Sequence, residues 1–395
     1  MEGSLLLERE TPPGCVINTS PDPEKIYLGC PGIVIMLNGD YIASHSMFGE
    51  GTDYNQMFIF RSSDAGHSWQ PVADIKGQWW STLFLYQEAL YLMGTNRKDG
   101  FVVIRRSEDG GKTWSEPRDR NTGLLADDAK YHTAPVPIVV HNGRIWRGME
   151  ERWYHSKKDQ QTKKLPKKEQ LCIVLSAPED ADLLNADSWT WSNRLRYEAS
   201  WPGSVWLEGN MVVTPDRKLV NILRTNFHSS NRNETGNSAH HPRINQIGEK
   251  ASIVHVSDDG TELTHDPDYD LVDFPGGDSK FTIRFDDRTQ RYWALTNYQK
   301  EANSYRNILA LTSSPDLKTW IVESIILHHD EPERHAFQYV DWLFENNDII
   351  AVSRTAWKYQ GDTTINRRPA HNANYLTFHR IQNFRTRTCE DQPLL

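Results

Sequence analysis

The side chains here that could do chemistry recur at matched places around short apolar runs. At the starts of six such runs stand Gly29-Cys30-Pro31, Trp79-Trp80, Tyr131-His132, Trp206-Leu207-Glu208, Ser279-Lys280, and His335 with Phe337 and Tyr339. The run that follows each one ends in His45, Asn96, Glu150, Arg224, Asn297 with Tyr298, or Arg354. A merely solvated rim would carry Lys, Glu and Ser without order. Rings of Trp and Tyr stack on the C–H faces of sugars, guanidiniums grip carboxylates in pairs of hydrogen bonds, and Asn and His bond hydroxyls. These residue types point to a saccharide pocket with a few convergent polar groups.

Such distant stretches converge only if a repeat brings them together. The repeat is marked by Ser107-Glu108-Asp109-Gly110-Gly111-Lys112-Thr113-Trp114. A near copy runs Ser62-Ser63-Asp64-Ala65-Gly66-His67-Ser68-Trp69, and a degenerate one Ser313-Ser314-Pro315-Asp316-Leu317-Lys318-Thr319-Trp320. Each follows an apolar, β-branched run, so each reads as a hairpin turn. The Asp accepts turn amides, Gly supplies a positive φ and Trp pins the turn to the sheet. This is the Asp-box pattern. Strand pairs at 32–46, 81–96, 133–150, 208–225, 280–297 and 336–355 line up around polar turns such as Asn142-Gly143. Six units at roughly 50 to 65 residues each predict an all-β, six-bladed propeller, and seven blades fit less well. The last unit is one strand short, which Cys15–Asn18 is expected to supply. Residues 1–395 read as one propeller domain with polar loop insertions near 156–170 and 228–250. A short helix is predicted over 178–189, capped by Asp180 or Asp182.

Composition narrows the function. A net charge of −9 leaves no basic field for nucleic acid. The basic run Lys157–Lys168 reads as a solvated loop. No apolar run reaches membrane-span length. Four cysteines show no metal-type spacing, and one disulfide is compatible with them. No cofactor is implied, no residue cluster marks a metal, and a structural calcium is compatible with the channel. Met1–Glu10 is too short and charged for a secretory signal. The chain is thus expected to be cytoplasmic, or secreted or periplasmic if a leader has been removed. Asn18-Thr19-Ser20 and Asn233-Glu234-Thr235 match the glycosylation acceptor pattern. Oligomeric state is not specified.

With the boxes in register with the blades, the chain resembles the sialidase superfamily. Trp206-Leu207-Glu208-Gly209-Asn210-Met211 followed by Arg224 is similar to the family segment bearing a catalytic Glu and a carboxylate-binding Arg. Arg306-Asn307-Ile308 is similar to the segment of another such Arg, and Phe337-Gln338-Tyr339-Val340-Asp341 to that of the nucleophilic Tyr. Asp53 stands where the family's general acid lies. Two positions depart: Gly29 replaces the family's first Arg, and His45 its supporting acid. The resemblance implies a retaining exo-glycosidase acting on a terminal acidic sugar, one of the exceptions to the two-carboxylate rule. Tyr339 would attack with Glu208 as its base, Asp53 would protonate the leaving group, and Arg224 and Arg306 would hold the carboxylate. Arg354, Trp80, Trp206, Lys280, Tyr298, Asn96 and Gln338 complete the expected substrate-binding set.

The His-bearing first blade also resembles propeller enzymes that act at rhamnose–glucuronate linkages. That implies a lyase or rhamnosidase-type alternative, with His45, His132 or a Tyr as base. A third reading is a glycan-binding propeller without catalysis. In each the partner is an oligosaccharide or polysaccharide.

Overall fold

The computed structural model of the chain describes residues 11–155, 157, 168–198, 200–203, 205–226, 248–299, 305–358 and 371–394. Residues 1–10, most of the basic run and of the 156–170 insertion, and residues 227–247 with the Asn233 acceptor pattern lie outside them. The described residues form six small antiparallel sheets, the blades of a propeller. Blade 1 contains Tyr27–Ile35, Tyr41–Phe48, Gln56–Ser62 and Gln70–Lys76, from hub to rim. Blade 2 contains Trp79–Tyr86, Ala89–Thr95, Val102–Ser107 and Leu124–Ala126. Blade 3 has a broken inner strand, Lys130–His132 and Val139–His141, then Arg144–Tyr154, Lys168–Pro178 and Thr190–Trp191. Blade 4 contains Trp206–Val213, Leu219–Thr225 and Lys250–Val256, edged by Leu263–Thr264 and Leu271–Asp273. Blade 5 contains Thr282–Asp286, Arg291–Asn297, Ile308–Ser314 and Ile321–His328. Blade 6 contains Ala336–Glu345, Asp348–Ala356 and Tyr375–Ile381, and Cys15–Thr19 pairs with the last of these as its outer strand. The strand predicted from Cys15–Asn18 is therefore found, and it closes the ring with the two ends of the chain.

Strands such as Ile308-Leu309-Ala310-Leu311 are apolar on both faces because each blade packs between two neighbours. Ile42, Met57 and Ile59 of blade 1, for example, share a buried cluster with Leu83, Leu90 and Leu92 of blade 2. Near the hub, polar side chains stitch blade to blade. Asn210 of blade 4 donates to Phe281 O and accepts from Ile283 N of blade 5. Asp341 of blade 6 accepts from Ile33 N of blade 1 at 3.1 Å.

The repeated turns owe their shape to their side chains. Asp64 accepts the amide and hydroxyl of Ser68, which hold its carboxyl down to about 2. Gly66 N donates to Ser62 Oγ, and Trp69 Nε1 donates back to Gly66 O at 3.2 Å. Asp109 and Asp316 organise their turns in the same way. A fourth turn, Ser257-Asp258-Asp259-Gly260-Thr261, uses the same bonds in blade 4. It is two residues shorter and lacks the Trp, so the sequence pattern does not single it out.

The helix predicted over 178–189 does not form. Lys168–Pro178 is strand, and beyond it lies one 3₁₀ turn, Ala186–Ser188, capped by Asn185 rather than by Asp180 or Asp182. Burying Trp189, whose Nε1 donates to Leu183 O, favours the tighter turn. The Asn18 side-chain NH2 donates to His45 Nε2 at 2.9 Å inside the closing seam, so this acceptor pattern is occupied structurally. All four cysteines are free. Among the described residues, no helix is long and apolar enough to cross a membrane.

Candidate active site

Four hub residues share one backbone device. In the inner strands of blades 1, 2, 4 and 6, pairing to the second strand skips at Gly29/Gly32, Trp79/Thr82, Leu207/Asn210 and Gln338/Asp341. Within each skip one residue has a left-handed backbone: Cys30 (φ 51°), Trp80 (φ 47°), Glu208 (φ 61°) and Tyr339 (φ 56°). A regular strand would alternate these side chains between the blade faces. The bulge re-aims them, at a cost of about 1–3 kcal/mol per residue for a non-glycine in this region.

The result is contact across the hub. Tyr339 Oη of blade 6 donates to Glu208 Oε1 of blade 4 at 2.7 Å. Arg224 Nη1 donates to Glu208 Oε2 at 3.0 Å, while its Nε donates to Asn226. The Arg306 and Arg354 guanidiniums lie 5.6 and 4.9 Å from the Tyr339 ring centroid. Arg306 donates to Gln338 Oε1 at 2.6 Å. Arg354 also covers Phe48 and donates to the His371 carbonyl. Arg354 Nε and Gln338 Nε2 are buried donors with no acceptor among the described residues. Glu150 Oε1 accepts the Glu208 amide at 2.7 Å and fixes the bulge, while its Oε2 meets His132 Nδ1 at 2.7 Å.

Burial, reinforced by the Glu208 charge, pushes the Tyr339 phenol up to about 12 against the pull of three arginines. Burial also raises Glu150 to about 8, with Glu208 adding to it. Burial lowers Arg354 to about 10, and burial together with Arg224 lowers Arg306. Three guanidiniums thus converge near one paired carboxylate. The site favours an anionic ligand, and it can move a proton from phenol to carboxylate.

Other predicted residues fall elsewhere. His45 is buried, stacks on Phe58 and Phe60 and points to Asn18, so it packs blade 1 against the closing strand. Burial lowers its imidazole to about 4, which leaves it neutral. Trp206 is fully buried among Tyr197, Trp201 and His265, a core ring and not a sugar platform. Asn96 closes its own turn by accepting Phe101 N. Lys280 is buried, and its ammonium donates to Thr282 Oγ1 and Val340 O between blades 5 and 6. The Tyr298 amide bonds Thr296 O, and among the described residues no bond joins its ring to the group around Tyr339. Trp80 does reach the hub side, edge-on to His132 at 4.4 Å and beneath Arg152. Asp53 is exposed in the loop after Phe48, the residue that Arg354 covers. Glu150, Phe48 and Asn226 were not among the predicted site residues. Only Glu150's place at a strand end marked it. A surface cavity of about 410 Å³ lined by Tyr131, Trp189, Trp191 and Arg194 shares no residue with this group.

No protein-family model matches the chain, and no curated protein matches it in sequence. Solved structures do match in shape. The α-L-arabinanase of Penicillium chrysogenum, complexed with arabinobiose, is 13% identical at a TM-score of 0.54 over 95% of this chain and 99% of that one. A Dyadobacter fermentans protein of unknown function is 14% identical at 0.58 over 95% and 100%. The leech intramolecular trans-sialidase is 11% identical at 0.58 over 94% of this chain and 70% of that one. At these identities the likeness is one of fold, the six-bladed propeller.

Proposed function

We propose that this chain is an exo-acting glycosidase that cleaves a terminal acidic sugar from a glycan by a retaining mechanism with a tyrosine nucleophile. The observation that carries the reading is the Tyr339–Glu208 hydrogen bond of 2.7 Å beneath two further guanidiniums. Glycan-cleaving propellers among the structural neighbours support it.

A phenol held near 12 is neutral at pH 7, so it does not repel a substrate carboxylate. As its oxygen bonds to the anomeric carbon, its proton passes to Glu208 Oε1, and the bond to the leaving oxygen breaks. Arg224 steadies Glu208 before that transfer. Asp53 protonates the leaving oxygen, then takes a proton from the water that attacks the glycosyl–tyrosine. As the Tyr339 oxygen departs, it takes back its proton from Glu208. Arg306, Arg354 and the remaining Arg224 donor hold the sugar carboxylate.

Arg354 also accounts for the missing first arginine. A Cβ at Gly29 would already stand 3.1 Å from the Phe48 ring, so Phe48 occupies the room a longer side chain would need. Phe48 in turn carries the Arg354 guanidinium at 4.6 Å. The third cation therefore enters from blade 6 rather than blade 1. That altered placement of the third cation favours an acidic sugar held differently from sialic acid in the family's three-arginine clamp.

The test is a screen of purified protein on glycans ending in sialyl, uronyl and neutral sugars, with products weighed by mass spectrometry. Release of an acidic monosaccharide with addition of water supports the reading. An unsaturated uronate product would assign elimination by His132 instead, and binding without cleavage would leave a lectin-like propeller.

A further inference from the structure

We infer that the loop leading into the Tyr339 strand holds a divalent transition-metal site, of zinc type, made by His329, Glu331 and His335. One ligand atom from each lies within 4.8 Å of the others. The grouping is local. Arg334 N and His335 N both fold back on Glu331 O, a single helical turn that sets Glu331 and His335 on one side. His329 arrives from the end of blade 5, held where its amide donates to Asn307 O and its carbonyl accepts the Asn307 side chain.

The two imidazoles stack with centroids 3.5 Å apart and planes at 27°. Trp357 walls both rings edge-on, at 5.0 and 4.4 Å. Asn374 bonds the Trp357 amide and carbonyl, so that wall is fixed. Two rings this close cannot both carry a proton without strong repulsion, whereas one dication can accept a lone pair from each. Glu331 supplies the negative charge, and its half-exposed side chain gives an ion a path from solvent. Two imidazoles and one carboxylate suit zinc or a neighbouring transition ion, with water as a further ligand. Calcium and magnesium prefer all-oxygen sets. Shifts of about an ångström would bring the three donors to zinc-bond length. The Glu331 amide donates to His329 Nδ1 at 3.1 Å, a bond that coordination through that nitrogen would replace.

The site's place gives it a consequence. The loop runs directly into Phe337, whose amide donates to Arg306 O at 2.9 Å. An ion here would fasten the segment that sets Arg306 against Tyr339. The metal site itself stands without the sugar chemistry.

Metal-stripped full-length protein, titrated with zinc chloride against a competing chelator, tests this. One zinc per chain is expected, with a rise in Tm on binding. Glu331→Gln should weaken binding at least about tenfold, and His329→Gln with Glu331→Gln should remove it. The Glu331 side chain is exposed, so the metal-free Tm of Glu331→Gln should match the parent. No binding by the parent, undiminished binding by the double variant, or equal preference for calcium would each overturn the proposal.

Discussion

Tyr339 and Glu208 meet at 2.7 Å across 131 residues of chain, and each is delivered by a left-handed bulge in its own inner strand. The bulge pair, more than either residue type, makes the dyad. Tyr339→Phe removes the proton and nucleophile while leaving the ring between Arg306 and Arg354. It should abolish turnover, with Tm nearly unchanged. Glu208→Gln should lower kcat by about 10²–10⁴-fold, the range for loss of a positioned base. Steady-state kinetics on the substrate found by screening checks both, and near-parental rates in Tyr339→Phe would remove the proposed chemistry.

Arg354→Lys tests the relocated cation. Lysine keeps the charge but lacks the planar fork. For an acidic sugar, kcat/KM should fall about 10- to 100-fold, matching one charge-assisted hydrogen bond of about 1.5–3 kcal/mol. For the same substrate with its carboxylate esterified, the variant and the parent should differ little. An equal loss on both substrates would mean that Arg354 only packs on Phe48.

Glu150 makes stability depend on pH. Its folded value of about 8 lies above the ordinary 4.5, so the native chain keeps a proton that the unfolded chain has released between those values. Its contribution is full below 4.5 and is lost as pH rises through about 8. Urea midpoints should therefore fall across that window. Glu150→Gln retains an oxygen for the Glu208 amide and should flatten the fall. An unchanged slope in the variant would mean that Glu150 is ionised throughout.

The fold was legible because its signals are local. An Asp that accepts turn amides, a Gly with positive φ and a Trp that closes the turn are set by neighbours in sequence. Even the closing strand showed as a missing partner for Tyr375–Ile381. Of the candidate site, Tyr339, Glu208, Arg224, Arg306 and Arg354 could be located by motif and strand end. Side-chain direction could not be read. His45 and Trp206 occupy equivalent strand ends yet turn into the packing between blades, because burial against Phe58 and Phe60, or among Tyr197, Trp201 and His265, is a tertiary fact. The bulges carry no composition signal either, since Cys, Trp, Glu and Tyr fill the same backbone position.

The ring closure offers the sharpest stability test. Gly66, at φ 89°, sits in the first repeated turn, and a Cβ there would stand 2.3 Å from the Phe378 ring. Phe378 belongs to the strand that pairs with Cys15–Thr19, and its ring packs against Tyr41 and Trp69. Gly66→Ala therefore combines a left-handed backbone penalty of roughly 1 kcal/mol with about 1–3 kcal/mol of overpacking. The two act at the one place where the terminal strands lock the circle. Gly110, also in a repeated turn, at φ 76°, faces open space and serves as the control, because Gly110→Ala meets only the backbone term. Thermal melts should show Gly66→Ala losing about 2–4 kcal/mol and Gly110→Ala about 1 kcal/mol. If the two variants melt together, the Phe378 contact does not bear on closure, and the seam owes its stability to strand pairing alone.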